Sequence, residues 1–193
     1  IPRVTSKSFA MFSDDQGASW YAGDLVDAGT NEAQIVELTD GRLLMSARQN
    51  GGSGRVFASS LDQGATWQPS FTGFTSTAVM EAVERFEPVG ADGQPQPLLL
   101  HTRPAGGPVT ARTNLQVMVA ADESAPGGPT FGGNRMLFQG YAAYSDLVAI
   151  DDQEVGVFWE RGDTGHNQSS VYTRFNQTFL QPSAGPLGLI AHE

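Results

Sequence analysis

Two short stretches of this chain share one form. Ser13-Asp14-Asp15-Gln16-Gly17-Ala18-Ser19-Trp20 and Ser60-Leu61-Asp62-Gln63-Gly64-Ala65-Thr66-Trp67 both read S-x-D-x-G-x-[ST]-W, with Trp67 falling 47 residues after Trp20. A repeat of this period, with strand-like segments between its copies, points to a propeller or another repeat architecture. Each position has a mechanical task. Asp15 and Asp62 accept backbone N–H bonds inside the turn. Gly17 and Gly64 take a φ > 0 position, and Trp20 and Trp67 give the following strand a large apolar anchor. Turn chemistry accounts for both aspartates without a ligand, so neither a metal nor another cofactor is expected. A third, degraded copy is expected from Ala121-Asp122-Glu123 through Thr130-Phe131.

The remaining segments fit the same rhythm. Ile35 to Leu38 and Leu43 to Met45 flank Thr39-Asp40-Gly41, a strong hairpin signal. Thr77–Phe86 and Leu98–Thr102 form a second hairpin around Gly90-Ala91-Asp92-Gly93, and Tyr144–Ile150 and Val155–Trp159 a third around Asp151-Asp152. Ser8–Phe12, Val56–Ser59, Asn114–Ala120, Arg135–Phe138 and Ser170–Phe175 read as further strands. No helical period of useful length is present. The expectation is an all-β chain of about three propeller blades over residues 1–180, with 181–193 as a tail lacking any clear period.

Charge narrows the partners. The formal net charge of −10 argues against nucleic acid and against an anionic membrane surface. No apolar run is long enough for a transmembrane helix. Lys7 is the single lysine against ten arginines, the residue suited to planar, bidentate grip on a carboxylate or phosphate. There are no cysteines. The sequons Asn167-Gln168-Ser169 and Asn176-Gln177-Thr178 would permit glycosylation, which suits a secreted or secretory/lysosomal setting.

Five polar residues converge once strand direction is tracked. Glu32 and Arg48 are about equidistant from Asp40, so the first hairpin brings them side by side at its open end. Tyr144 and Glu160 flank Asp152 in the same way. With four antiparallel strands per blade counted from the axis, Arg112 begins a third strand. All five then fall on one face, opposite the Asp-containing turns. A single ion pair on a rim contributes little, but convergent polar groups on one face mark a binding site.

These segments resemble the exo-α-sialidase (neuraminidase) family of six-bladed propeller glycosidases. NEAQIVELTDGRLLMSAR is similar to the family segment that carries a catalytic Glu and an Arg of its arginine triad, which implies those roles for Glu32 and Arg48. Ala111-Arg112-Thr113-Asn114-Leu115 resembles the segment of a further triad arginine, here Arg112. Tyr144-Ser145-Asp146-Leu147 resembles the nucleophile motif, which makes Tyr144 the nucleophile. Val157-Phe158-Trp159-Glu160-Arg161-Gly162 is similar to the stretch whose Glu steadies the first triad arginine, here Glu160. The two S-x-D-x-G-x-[ST]-W turns resemble the family's Asp boxes, which also occur in other propellers.

The resemblance matches the second half of a catalytic domain. The motif with the first triad arginine and the acid/base Asp have no counterpart here, and Thr75–Glu84 departs from the family pattern. Ile1-Pro2-Arg3 sits where a mid-domain strand ends. The resemblance implies a hydrolase acting on terminal α-linked sialic acids of glycoconjugates with retention of configuration. Its partners would be a sialylated glycan and the N-terminal half of the propeller, in the same polypeptide or as a separate chain. A catalytically silent propeller that binds glycans as a lectin is the alternative, and a structural Asp-box propeller without a glycan site is a third reading.

Overall fold

The computed structural model describes residues 6–52, 54–106, 111–120 and 128–181. Among these residues twelve strands form three antiparallel sheets, and one turn of helix follows the last strand. The first is a two-stranded hairpin of β1 (Met11–Phe12) and β2 (Tyr21–Ala22) around the first Asp box. Pairing continues beyond these short strands, since Val26 N–H donates to the Ser8 carbonyl and Thr30 N–H to that of Ser6. The second sheet runs in chain order: β3 (Thr30–Glu37), β4 (Leu43–Gln49), β5 (Gly54–Ser60) and β6 (Phe71–Thr75). The third contains β7 (Val83–Phe86), β8 (Leu98–Pro104), β9 (Thr113–Ala120), β10 (Gly132–Ala149), β11 (Glu154–Gly162) and β12 (Ser169–Asn176) as sequential neighbours. The three expected hairpins are β3–β4, β7–β8 and β10–β11.

The six-stranded sheet is two blades joined through one strand. The sequence reads as two strands there, Arg135–Phe138 and Tyr144–Ile150, but β10 is continuous for 18 residues. Its first part pairs with β9 and its second with β11, and Tyr141 pairs with both Thr113 and Gly162. The change of partner needs no loop because Gly140 bends the backbone at φ 141°. Its N–H is still held, donating to Asn114 Oδ1 at 3.1 Å. A Cβ at Gly140 would lie 2.9 Å from the Phe138 ring, so glycine is required there on steric grounds as well.

The core lies between successive blades. Val26, Met45, Ala47 and Ala58 close against Trp67. Val36, Leu38, Leu44 and Phe57 from the four-stranded sheet pack against Val83, Leu99 and Ala120. Phe86, Leu100, Leu115, Val117 and Leu137 of the next blade pack against Leu147, Val155, Val157 and Trp159 of the last. A middle blade is therefore covered on both faces, which explains the run Leu44 to Ala47 without an exposed residue. Phe57 is fully buried, its ring 5.7–6.0 Å from those of Phe71, Phe74, His101 and Phe131. Truncating such a residue to Ala costs about 3–5 kcal/mol.

The two described Asp boxes are near copies. Asp62 accepts from Thr66 N–H at 2.8 Å, Thr66 Oγ1 at 2.6 Å and Ser60 Oγ at 2.8 Å. Asp15 makes the same three bonds with Ser19 and Ser13. The bonds from Ser19 hold the Asp15 carboxyl down at about 2. Gly17 and Gly64 have φ of 89° and 91°, and Gln16 and Gln63 before them are also left-handed at 60° and 59°. The tryptophans differ. Trp67 sits against the apolar cluster as expected, whereas Trp20 is 59% exposed. The hairpin carrying Trp20 has only two strands, and among the described residues none lies behind it to receive the ring. Most of the degraded third copy, residues 121–127, and the tail 182–193 lie outside the described residues, as do Ile1-Pro2-Arg3. A single helical turn, α1 (Gln177–Leu180), closes β12, with the Asn176 side chain capping Phe179 N–H.

Candidate active site

The β3–β4 register decides the first pair. Ala33 stands opposite Ala47, and in the irregular stretch between that pair and Thr30–Gln49 Glu32 lies beside Arg48. Arg48 Nη1 donates to Glu32 Oε2 at 2.9 Å, with side chains 24% and 33% exposed. Burial opposes the Arg48 charge, but the bond to Glu32, the Glu32 charge and Tyr144 together outweigh it and raise the guanidinium above its ordinary value. A pair this exposed contributes little to stability, so its significance lies in what else Glu32 touches.

The second Glu32 oxygen reaches across the molecule. Tyr144 Oη donates to Glu32 Oε1 at 2.8 Å. Tyr144 lies on β10, where a register shift separates Ala142 from Ser145. Burial, reinforced by the bond to Glu32 and its charge, raises the Tyr144 phenol above its ordinary value, while Arg112 and Arg48 pull it back down. The hydroxyl is thus held protonated with an acceptor already in place and two cations ready to stabilise the phenolate.

Arg112 completes the group. Its guanidinium lies 5.4 Å from the Tyr144 ring centroid, over the aromatic face. Nη2 donates to the Ala78 carbonyl at 3.2 Å, and Nη1 lies 3.0 Å from His166 Nε2. Arginine only donates, so His166 accepts through Nε2 and carries its proton on Nδ1. Glu160 lies further along the same wall. A cleft of about 410 Å³ is lined by Tyr144, Glu160, Gln34, Met80, Phe158 and Ser170, among others. No hydrogen bond or ion pair engages the Glu160 carboxylate among the described residues.

The structure therefore joins Tyr144, Glu32 and Arg48 in one hydrogen-bonded chain, stacks Arg112 on the tyrosine and sets Glu160 in the adjoining cleft. Sequence reasoning missed His166, Ala78 and Met80. A lone histidine in the glycine-containing β11–β12 loop carries no signal, and a backbone carbonyl is invisible to motif reading. Among the described residues no group of three or more His, Asp or Glu is arranged to hold a metal. No helix among them is long and apolar enough to cross a membrane.

Residues 3–172 match the family of BNR repeat-like domains. This chain belongs to that family. It is 29% identical over 186 residues to a sialidase of Micromonospora viridifaciens, covering 93% of this chain and 27% of the relative. It is 31% identical over 190 residues to a sialidase of Vibrio cholerae serotype O1, covering 83% of this chain and 23% of the relative. Among solved structures, the Hadza microbial sialidase Hz136 superposes with a TM-score of 0.72 at 25% identity, over 87% of this chain and 32% of the other. The BNR domain and these likenesses make the fold part of a sialidase-type β-propeller. The chain spans about a quarter of the length of the curated relatives it matches.

Proposed function

We propose that this chain forms part of an exo-α-sialidase and supplies its nucleophile, its base and two carboxylate-binding arginines. The bond from Tyr144 to Glu32 carries the reading. A phenol of ordinary acidity is a poor nucleophile near neutral pH, and a carboxylate placed to take its proton is the arrangement that activates one. The substrate class follows from the charges. Sialic acid bears a carboxylate on its anomeric carbon. Arg112, over the Tyr144 ring, and Arg48, joined to Tyr144 through Glu32, can grip that group with charge-assisted bonds. A carboxylate nucleophile would be repelled there, whereas a tyrosine approaches neutral.

In the first step Tyr144 Oη forms a bond to the anomeric carbon as its proton passes to Glu32 and the glycosidic C–O bond breaks. The departing oxygen takes a proton from an acid outside the described residues. Water then attacks the same carbon as its proton passes to the conjugate base of that acid, the bond to Tyr144 Oη breaks, Glu32 returns its proton to Tyr144, and two inversions give retention. Glu160 fits a supporting role toward a further arginine that the N-terminal half of the propeller would provide.

The test is release of free sialic acid from a sialoside by the complete polypeptide that carries this segment, followed by proton NMR. The α-anomer is expected first. Initial release of the β-anomer would overturn the tyrosine mechanism. Glycan binding without turnover would favour the lectin reading instead.

A further inference from the structure

Beside the Tyr144 site lies a group of ionisable side chains that the proposed chemistry does not use. Arg55 is 1% exposed, and Glu81 and His101 are fully buried. Arg55 stands opposite Arg48 in the β4–β5 register, one strand outward from the site. Its Nε donates to Ser46 Oγ at 2.8 Å, its Nη2 to the Glu81 carbonyl at 2.8 Å and its Nη1 to the Val79 carbonyl at 3.2 Å. Arg55 Nε is 3.8 Å from Glu81 Oε2, and Glu81 Oε1 accepts from Ser76 Oγ. His101 Nε2 lies 2.9 Å from Ser46 Oγ.

Fold stability gives little reason for this group. Well-packed apolar residues often replace a buried ion pair at no loss. Here burial pushes the Glu81 carboxyl up to about 7, and its Oε2 has no hydrogen-bond partner. What the group does hold is the backbone of residues 76–81. This segment joins β6 to β7 and has no strand pairing of its own. It meets the site at three points. The Ala78 carbonyl accepts from Arg112, Thr77 Oγ1 donates to the Ala111 carbonyl at 3.1 Å, and Met80 lines the cleft beside Tyr144. Arg55 and Glu81 thus fix one side of the segment while Arg112 leans on the other.

We propose that Arg55 and Glu81 are positioning residues for carboxylate recognition: they clamp residues 76–81 so that this segment holds Arg112 over Tyr144. The inference rests on the reading of Arg112 as a carboxylate-binding residue.

The experiment uses the complete polypeptide and two non-hydrolysable probes, a 2,3-unsaturated sialic acid analogue and the carboxamide of the same compound. The wild type should prefer the free carboxylate. In the paired variant Arg55→Met with Glu81→Leu, that preference should fall about tenfold, the scale of one lost hydrogen bond to a charged group. Its melting temperature should stay near the wild-type value. Arg55→Lys keeps a cation beside Glu81 but loses the planar fork, and it should show the same loss if the paired variant does not fold. A general loss of stability would weaken both probes together and leave their ratio unchanged. A folded variant that retains the wild-type ratio overturns the proposal. A wild type indifferent to the two probes overturns the reading of Arg112 and this inference with it.

Discussion

Tyr144 donates to Glu32 at 2.8 Å although 112 residues separate them in the chain. The contact spans two blades, because Glu32 begins the inner strand of one and Tyr144 lies on the strand leading into another two steps later. Neither hairpin creates the contact alone. It requires the blades to pack as they do, and the chemistry of the phenol is therefore tied to the packing of the core.

If that contact activates the phenol, removing either partner in the complete protein should be costly. Tyr144→Phe keeps the ring under Arg112 but deletes the hydroxyl, and Glu32→Gln keeps the shape but deletes the base. Each is expected to lower kcat by about a hundredfold or more, the scale of a single proton-transfer group. Steady-state assays with a sialoside bearing a chromogenic leaving group check this, with circular dichroism to verify the fold. Near-normal turnover in Tyr144→Phe would remove it from the role.

The two arginines should be distinguishable from generic cations. Arg48→Lys and Arg112→Lys each keep a charge and lose the planar fork. Hydrogen bonds to charged groups are worth about 1.5–3 kcal/mol, so each change should raise KM about tenfold or more and lower kcat as well. Arg112→Lys also gives up the Ala78 contact and the stacking on Tyr144, and should be the more severe. Unchanged kinetics in both variants would mean that the substrate carboxylate is held elsewhere.

Glu81 should leave a mark on stability as pH changes. Its folded-state carboxyl is raised from 4.5 to about 7, chiefly by burial. A raised value means that the native state holds the proton more tightly than the unfolded chain. The contribution is fully present below about 4.5 and is lost as pH rises toward 7. Glu81→Gln should therefore flatten the fall in melting temperature across that window. An unchanged slope between the two proteins would show that Glu81 ionises freely in the fold.

The Asp boxes should behave as structure rather than as ligands. Asp62→Ala deletes three bonds inside one turn and should lower the melting temperature, with little effect on KM. Chelator should shift neither the wild type nor the variant. A melting temperature that depends on added calcium in the wild type, and no longer in Asp62→Ala, would assign the aspartate to a metal.

The parts legible in the sequence were those fixed by local geometry. The Asp40-Gly41 turn fixes the register that sets Glu32 against Arg48, and counting about Asp152 sets Tyr144 and Glu160 at one end of β10–β11. The two Asp boxes follow from eight-residue patterns that carry their own hydrogen bonds. Tertiary contacts were not legible. Arg55, Glu81 and His101 come from β5, an unpaired segment and β8, and each alone looks like a surface charge. Trp20 and Trp67 have identical local motifs, yet only Trp67 finds an apolar cluster. The bend at Gly140 also escaped notice, since a glycine between two strand-like runs more often marks a loop than a change of partner within one strand.

That continuous β10 sets a limit on how such a chain can diverge. The strand passes from one blade to the next with its pairing already irregular between Ala142 and Ser145, so a further residue inserted between Gly140 and Tyr144 has no loop to enter. It would shift the pleat by one and turn Tyr144 away from Glu32. Length changes are far easier to accommodate in the connections between β8 and β9 or between β11 and β12, which carry Arg112 and His166. Related chains are then free to remodel the rim around the substrate while the spacing that delivers the phenol stays constant, so a blade junction acts as a molecular ruler for the chemistry beside it.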